Sequence, residues 1–333
     1  MVQHKPISQQ VIVITGGSSG IGLATARDAA RRGAKVMLAS RNADALSDVA
    51  HDIQERGGEA RYVVMDVSSR EDHEALAAET IRTYGGFDTW VNNAGLSIFG
   101  HLEEVSDEDH RRLFDINFWG VVYGSTVAAR HLKERGGALV NLGSLASDVA
   151  FPLQGMYAAS KHAIKGFTDA LRMELEEQGA PVSVTLIKPA SINTPFPEHA
   201  KNYMTRQPKL PPPVYAPEDV ADAILRAAEH GDRDIYVGGG SKMMSSLRKR
   251  IPRATDWMGA HVMPRMQEGG VAPTEQDGAL YQPGQDGEVY GSSPHHVMRS
   301  AYTKASIHPA LTGALLAGVG LTAAAYLTRN ARG

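Results

Sequence analysis

Val11-Ile-Val-Ile-Thr-Gly-Gly-Ser-Ser-Gly-Ile-Gly22 joins an unbroken apolar run to spaced glycines and then to a helical pattern. The run Val11–Thr15 does not alternate, so it reads as a strand covered on both faces. Gly16, Gly20 and Gly22 fall in the turn between that strand and a helix near Ile21–Arg32. In this context glycines let the backbone approach a pyrophosphate, which rests at the positive end of the helix. Thr15, Ser18, Ser19 and Ile21 complete the phosphate-facing turn. An ordinary tight turn is the plain alternative, and the spacing differs by one residue from the common G-x-G-x-x-G pattern.

Outward from this turn, short apolar runs alternate with helical stretches as far as about Val237. Lys35–Ala39, Arg61–Met65, Phe87–Asn92, Gly137–Leu142, Val182–Ile187 and Asp234–Val237 read as further strands. Helical patterns cover Ala43–Arg56, Arg70–Tyr84, Asp107–Glu134, Tyr157–Gln178 and Pro217–His230. Strand–helix alternation predicts a parallel sheet with right-handed crossovers. The expected fold class is therefore α/β, a Rossmann-like doubly wound sheet of about seven strands with helices on both faces. Residues 1–240 form the expected dinucleotide-binding catalytic domain. Residues 241–300, rich in Gly, Pro and Met and without periodicity, read as an irregular extension. Residues 301–333 end in an apolar helix.

Composition narrows the function classes. The chain has 333 residues and a net charge of −3, with no basic excess to suit nucleic acid. It has no cysteine, which excludes disulfides and thiolate metal sites, and no metal is expected. Met1 to Gln10 is polar and lacks a signal-peptide core, so a cytoplasmic location is expected.

Two clusters carry chemistry. At the end of the second strand stand Ser40-Arg41-Asn42, with no carboxylate to bind the ribose hydroxyls of NAD. An arginine there suits the 2′-phosphate of NADP, so NADP(H) is expected over NAD(H). Farther along, Tyr157-Ala-Ala-Ser-Lys161 follows Ser144 by thirteen residues. Residues four apart share a helix face. An ammonium beside the Tyr157 hydroxyl is expected to lower its pKa, making it a general acid or base. Ser144 is placed to bind the same substrate oxygen.

The glycine turn, Asn92-Asn-Ala-Gly95, Ser144 and Tyr157-x-x-x-Lys161 together resemble the classical short-chain dehydrogenase/reductase family over residues 8 to 240. The resemblance implies that Tyr157 moves the proton, Ser144 orients the substrate oxygen and Lys161 holds the nicotinamide ribose. Asn117, in Phe114-Asp-Ile-Asn-Phe-Trp-Gly120, matches the family's fourth catalytic residue, with a satisfied core amide as its rival reading. Asp66 and Val67 match the adenine-contacting pair, and Asn93, Ala94 and Gly95 the floor beside it. Lys188-Pro-Ala-Ser-Ile-Asn-Thr194 resembles the segment that lines the nicotinamide, through Pro189, Ile192 and Thr194. Here Ala190 replaces the family's glycine.

These features imply an oxidoreductase interconverting an alcohol and a ketone or aldehyde. Ser97, Phe151 and Phe196, with the flap at residues 190–215, suggest an apolar substrate, with simple packing of the lid as the equal alternative. A non-catalytic dinucleotide-binding sensor or scaffold is one alternative, and an epimerase or dehydratase of the related extended fold is another. Homo-oligomers are common in the family. Pro309–Leu327 runs nineteen residues without a charge, about 28 Å as a helix, close to one hydrocarbon thickness. Three readings stand for this stretch: membrane association, packing on the enzyme or a partner subunit, and disorder.

Overall fold

The structure is a computed structural model that describes residues 4–273, 276–293, 295–308 and 312–313. Its first half repeats one unit: β1 (Val11–Thr15), α1 (Gly20–Arg31), β2 (Lys35–Ser40), α2 (Ala43–Glu55), β3 (Glu59–Val64), α3 (Arg70–Tyr84) and β4 (Thr89–Asn92). After the two-residue β5 (Ile98–Phe99) come α4 (Asp107–Phe114), α5 (Gly120–Arg135), β6 (Gly137–Leu142), α6 (Gly155–Glu177) and β7 (Val182–Pro189). Helix starts follow the capping rules. Ser69 accepts from the Asp72 amide at the head of α3, whose first turn also holds two acids.

The flap contains β8 (Ser191–Ile192), α7 (Phe196–His199), β9 (Lys201–Asn202) and β10 (Val214–Tyr215). Then α8 (Pro217–His230) returns the chain to β11 (Asp234–Val237). The main sheet has the order β11-β7-β6-β4-β1-β2-β3, and every pairing in it is parallel. The order reverses between β1 and β4, so the carboxyl ends of these strands open a crevice. Apolar clusters cover both faces. Leu23, Leu46, Val220 and Ile224 pack on one side, and Leu76, Leu113, Leu132 and Leu175 on the other. The expected seven-stranded doubly wound architecture is present, with strand ends differing by a residue or two.

Two elements differ from the sequence reading. The helix expected over Asp107–Glu134 is interrupted by a π-helical turn at Asp115–Trp119, a device frequent at functional sites. The stretch after residue 240, read as irregular, carries α9 (Gly239–Arg250), α10 (Pro252–His261) and α11 (Met263–Gln267). Pro252 and Pro264 stand in first turns, where proline is tolerated, and cut the stretch into pieces too short to show periodicity. Beyond them, residues 276–291 form an ordered strap without regular structure. β12 (Val297–Met298) then joins β10 and β8 in a small parallel sheet, and α12 (Ala301–Ile307) follows. The uncharged stretch 309–327 lies outside the described residues, apart from positions 312 and 313. Among the described residues, no helix is long and apolar enough to cross a membrane.

Candidate active site

The crevice at the sheet's carboxyl edge holds a cavity of about 460 Å³. Its floor is the glycine turn. Gly16 has φ +66°, and a Cβ at Gly22 would come within 2.0 Å of the Gly16 carbonyl oxygen, so only glycine fits there. Asn93 locks the turn onto β4, its Nδ2 donating to the Thr15 and Gly16 carbonyls at 3.0 Å each. Thr15 Oγ1 accepts from the Asn93 amide at 3.1 Å, so this residue braces the turn from behind.

Ser144 ends the loop after β6 and caps the short turn Leu145–Ser147. Tyr157 and Lys161 lie on the first turns of α6 and are both buried. All three line the cavity with Gly16, Ser18, Ser19, Gly20 and Ile21. Ser40, Arg41, Asp66 and Val67 line its other end, and Asn93, Ala94, Gly95, Pro189, Ile192 and Thr194 line it between. Phe151 and Phe196 complete the set, and the Phe196 ring lies 5.5 Å from that of Tyr157.

Four expected site residues stand back from the cavity. Thr15 and Gly22 support the turn from beneath. Ser97 is fully buried and accepts from Gln154 Nε2 at 2.9 Å. Asn117, in the π turn, has its amide committed to Leu96. Its Oδ1 accepts from the Leu96 amide and its Nδ2 donates to the Leu96 carbonyl, both at 2.9 Å. The side chain thereby fixes the backbone beside Gly95, where a Cβ would stand 3.6 Å from Lys161 Nζ. Ala190 brings no strain, since Leu153 is the one non-glycine residue with positive φ among the described residues.

The electrostatics correct one expectation. Lys161 does not lower the Tyr157 pKa here. Burial pushes the phenol up to about 12, against a hydrogen bond from Ser144 that lowers it. Burial likewise pulls Lys161 down to about 8. Its Nζ donates to the Leu142 carbonyl at 2.8 Å and lies 5.8 Å from the Tyr157 ring centre. Spacing on a helix brought the pair together, but burial sets the direction of both shifts.

At the far end the strap takes part. Arg41 donates to the Ala279, Leu280 and Tyr281 carbonyls, and Arg112 Nε to that of Leu280 at 3.2 Å. Ser18 Oγ donates to Asp286 at 3.0 Å, and the Gly20 amide to the Glu288 carbonyl at 2.9 Å. Burial would raise the Asp66 carboxyl, but bonds from Ser68 and from Arg112, at 2.5 Å, hold it below its ordinary value. Sequence reasoning missed the strap, Gln154 and a run of methionines lining the opposite end: Met243, Met244, Met258, Met263 and Met266. The concentration of Met in residues 243–266 was the available signal.

The sequence model of the short chain dehydrogenase family matches residues 10–204. The chain belongs to this family of oxidoreductases. It is 46% identical over 330 residues to an uncharacterized oxidoreductase of Bacillus subtilis, YxnA, covering 98% of this chain and 93% of the relative. It is 33% identical over 264 residues to 11-beta-hydroxysteroid dehydrogenase A of Sesamum indicum, covering 76% and 75%. Among solved structures, a short chain dehydrogenase/reductase from Burkholderia phymatum in complex with NAD superposes with a TM-score of 0.67. That pair is 27% identical, covering 77% of this chain and 97% of the other. An alcohol dehydrogenase from Thermococcus sibiricus complexed with 5-hydroxy-NADP gives a TM-score of 0.61 at 28% identity, covering 68% and 95%. In this short-chain dehydrogenase, residues beyond 204 add the methionine wall and the strap to the family's matched core.

Proposed function

We propose that this protein is a nicotinamide-dinucleotide oxidoreductase that reduces a carbonyl, or oxidises the corresponding alcohol, on an apolar substrate. The observation that carries the reading is one continuous cavity. It runs from the glycine turn past Ser144, Tyr157 and Lys161 to a wall of methionine and proline. The residues present fit a dinucleotide: a glycine floor that no Cβ could share, buried polar groups midway and arginine at the far end. When bound, the cofactor supplies or accepts the hydride.

Tyr157 holds its proton firmly at neutral pH, and the phenol is the form that donates to a carbonyl oxygen as reduction proceeds. Ser144 shares that oxygen and stabilises the developing negative charge. Lys161 orients the ribose, and Asn117 acts as a positioning residue by fixing the Leu96 backbone. Arg41 and Ser40, at the tip of β2 without a carboxylate, favour NADP(H). Asp286, delivered to the same end by the strap, supports a second reading in which NAD(H) binds through ribose hydroxyls. The apolar wall favours a hydrophobic alcohol or ketone. The deciding experiment follows NADPH and NADH oxidation against a panel of ketones and aldehydes, with Tyr157→Phe as control. A loss of about 10²–10⁴-fold is expected for the variant. A near-wild-type rate overturns the role of Tyr157.

A further inference from the structure

At the methionine end of the cavity, α9–α11 carry a surface that is both basic and apolar. Residues 239–268 hold six Lys and Arg against two Asp and Glu, in a protein of net charge −3. Lys249, Arg250 and Arg253 are exposed and make no ion pair among the described residues. Beside these cations the same helices expose large apolar side chains. Trp257 is 62% exposed, Met243 58% and Ile251 48%. An amphipathic surface of cations around exposed Trp and aliphatic groups matches the chemistry of a membrane interface.

Two further observations tie this surface to the site and to the chain's end. Met243 and Val262 are exposed and also line the cavity, so the apolar surface continues into its mouth. α12 packs against α9, with Tyr302 Cβ 3.5 Å from a Cβ built at Gly239. The contact joins the starts of the two helices, and the uncharged stretch 309–327 follows α12 in sequence.

We propose that the α9–α11 surface docks on an anionic lipid bilayer and turns the mouth of the cavity toward it. Its meaning for substrate supply rests on the apolar-substrate reading above, but the docking is measured without turnover. Full-length protein is sedimented with phosphatidylcholine vesicles and with vesicles that also contain phosphatidylglycerol. Wild-type protein is expected to bind the anionic vesicles far better, with affinity falling as salt rises. Each basic residue near such a surface contributes about fivefold, so Lys249→Gln/Arg250→Gln/Arg253→Gln should weaken binding on the order of 100-fold. Brominated acyl chains should quench wild-type tryptophan fluorescence, and Trp257→Phe should abolish most of that quenching.

Wild-type protein that stays with the supernatant overturns the proposal. So does vesicle binding that ignores the triple substitution, which would assign the lipid contact to residues 309–327. A variant that instead loses oligomeric mass would assign the surface to a second copy of the chain. Reduction of a water-soluble ketone reports separately on the catalytic reading, and neither result determines the other.

Discussion

Asp148 lies just past the Ser144 turn, with its side chain 1% exposed, and offers the sharpest test of the forces around the site. Lys165 donates to its Oδ1, while Ser245 of α9 and Tyr236 of β11 donate to its Oδ2 at 2.7 and 3.0 Å. Lys188 Nζ, 3% exposed, stands 3.4 Å from the same oxygen. Burial would raise this carboxyl, but these four partners hold it well below the usual carboxylate range. Asp148→Ala takes from the buried Lys188 ammonium the carboxylate 3.4 Å away and leaves it only the more distant field of Asp234. Breaking a buried pair from one side costs about 3–5 kcal/mol. Urea denaturation at pH 7 should show that loss. Asp148→Leu with Lys188→Met removes the buried ammonium as well and should recover part of the loss, since Lys165, 31% exposed, can turn to water.

The pH dependence has a fixed sign. A carboxyl whose folded pKa is depressed contributes stability above its unfolded value near 4, and loses it as pH falls toward the folded value. The gap between wild type and Asp148→Ala should therefore be full at pH 7 and narrow below about pH 4. A deficit under about 1 kcal/mol, or one equal at both pH values, refutes the reasoning.

Two further predictions concern the site. Lys161, pulled down to about 8 by burial, costs the fold stability at neutral pH, where the unfolded chain keeps the proton easily. Lys161→Met should abolish turnover yet raise unliganded stability at pH 7 by roughly 1–3 kcal/mol, a gain that fades as pH rises from about 8 and is gone above about 10; a less stable variant refutes the burial argument. Arg41→Asp should shift the kcat/KM ratio from NADPH toward NADH. It should also loosen the strap, read as faster proteolysis near residues 279–284, and an unchanged cofactor ratio would remove Arg41 from the phosphate site.

The fold was legible because its information is local. Strands without apolar–polar alternation, such as Val11–Thr15 and Gly137–Leu142, announce burial on both faces, and caps such as Ser69 mark where helices begin. The glycine turn was legible for the same reason, since the space around Gly22 admits no other residue. The strap left no such trace. Arg41, Arg112 and the Gly20 amide hold it by its backbone carbonyls, which every sequence possesses. The direction of the Tyr157 shift was also hidden. Helical spacing reports which groups are near, whereas burial, opposed by the Ser144 bond, sets the direction of the shift.

The strap also has a temporal consequence. It spans the Arg41 end of the cavity, bonded to both the glycine turn and the tip of β2. Under the proposed function, a dinucleotide bound beneath it would leave only after these bonds open together, as a small local unfolding event. The methionine end is bounded by flexible side chains and needs no such event. Under the proposed function, the nucleotide is expected to exchange more slowly than substrate and product, and its release would then set the pace when it must be renewed between turnovers.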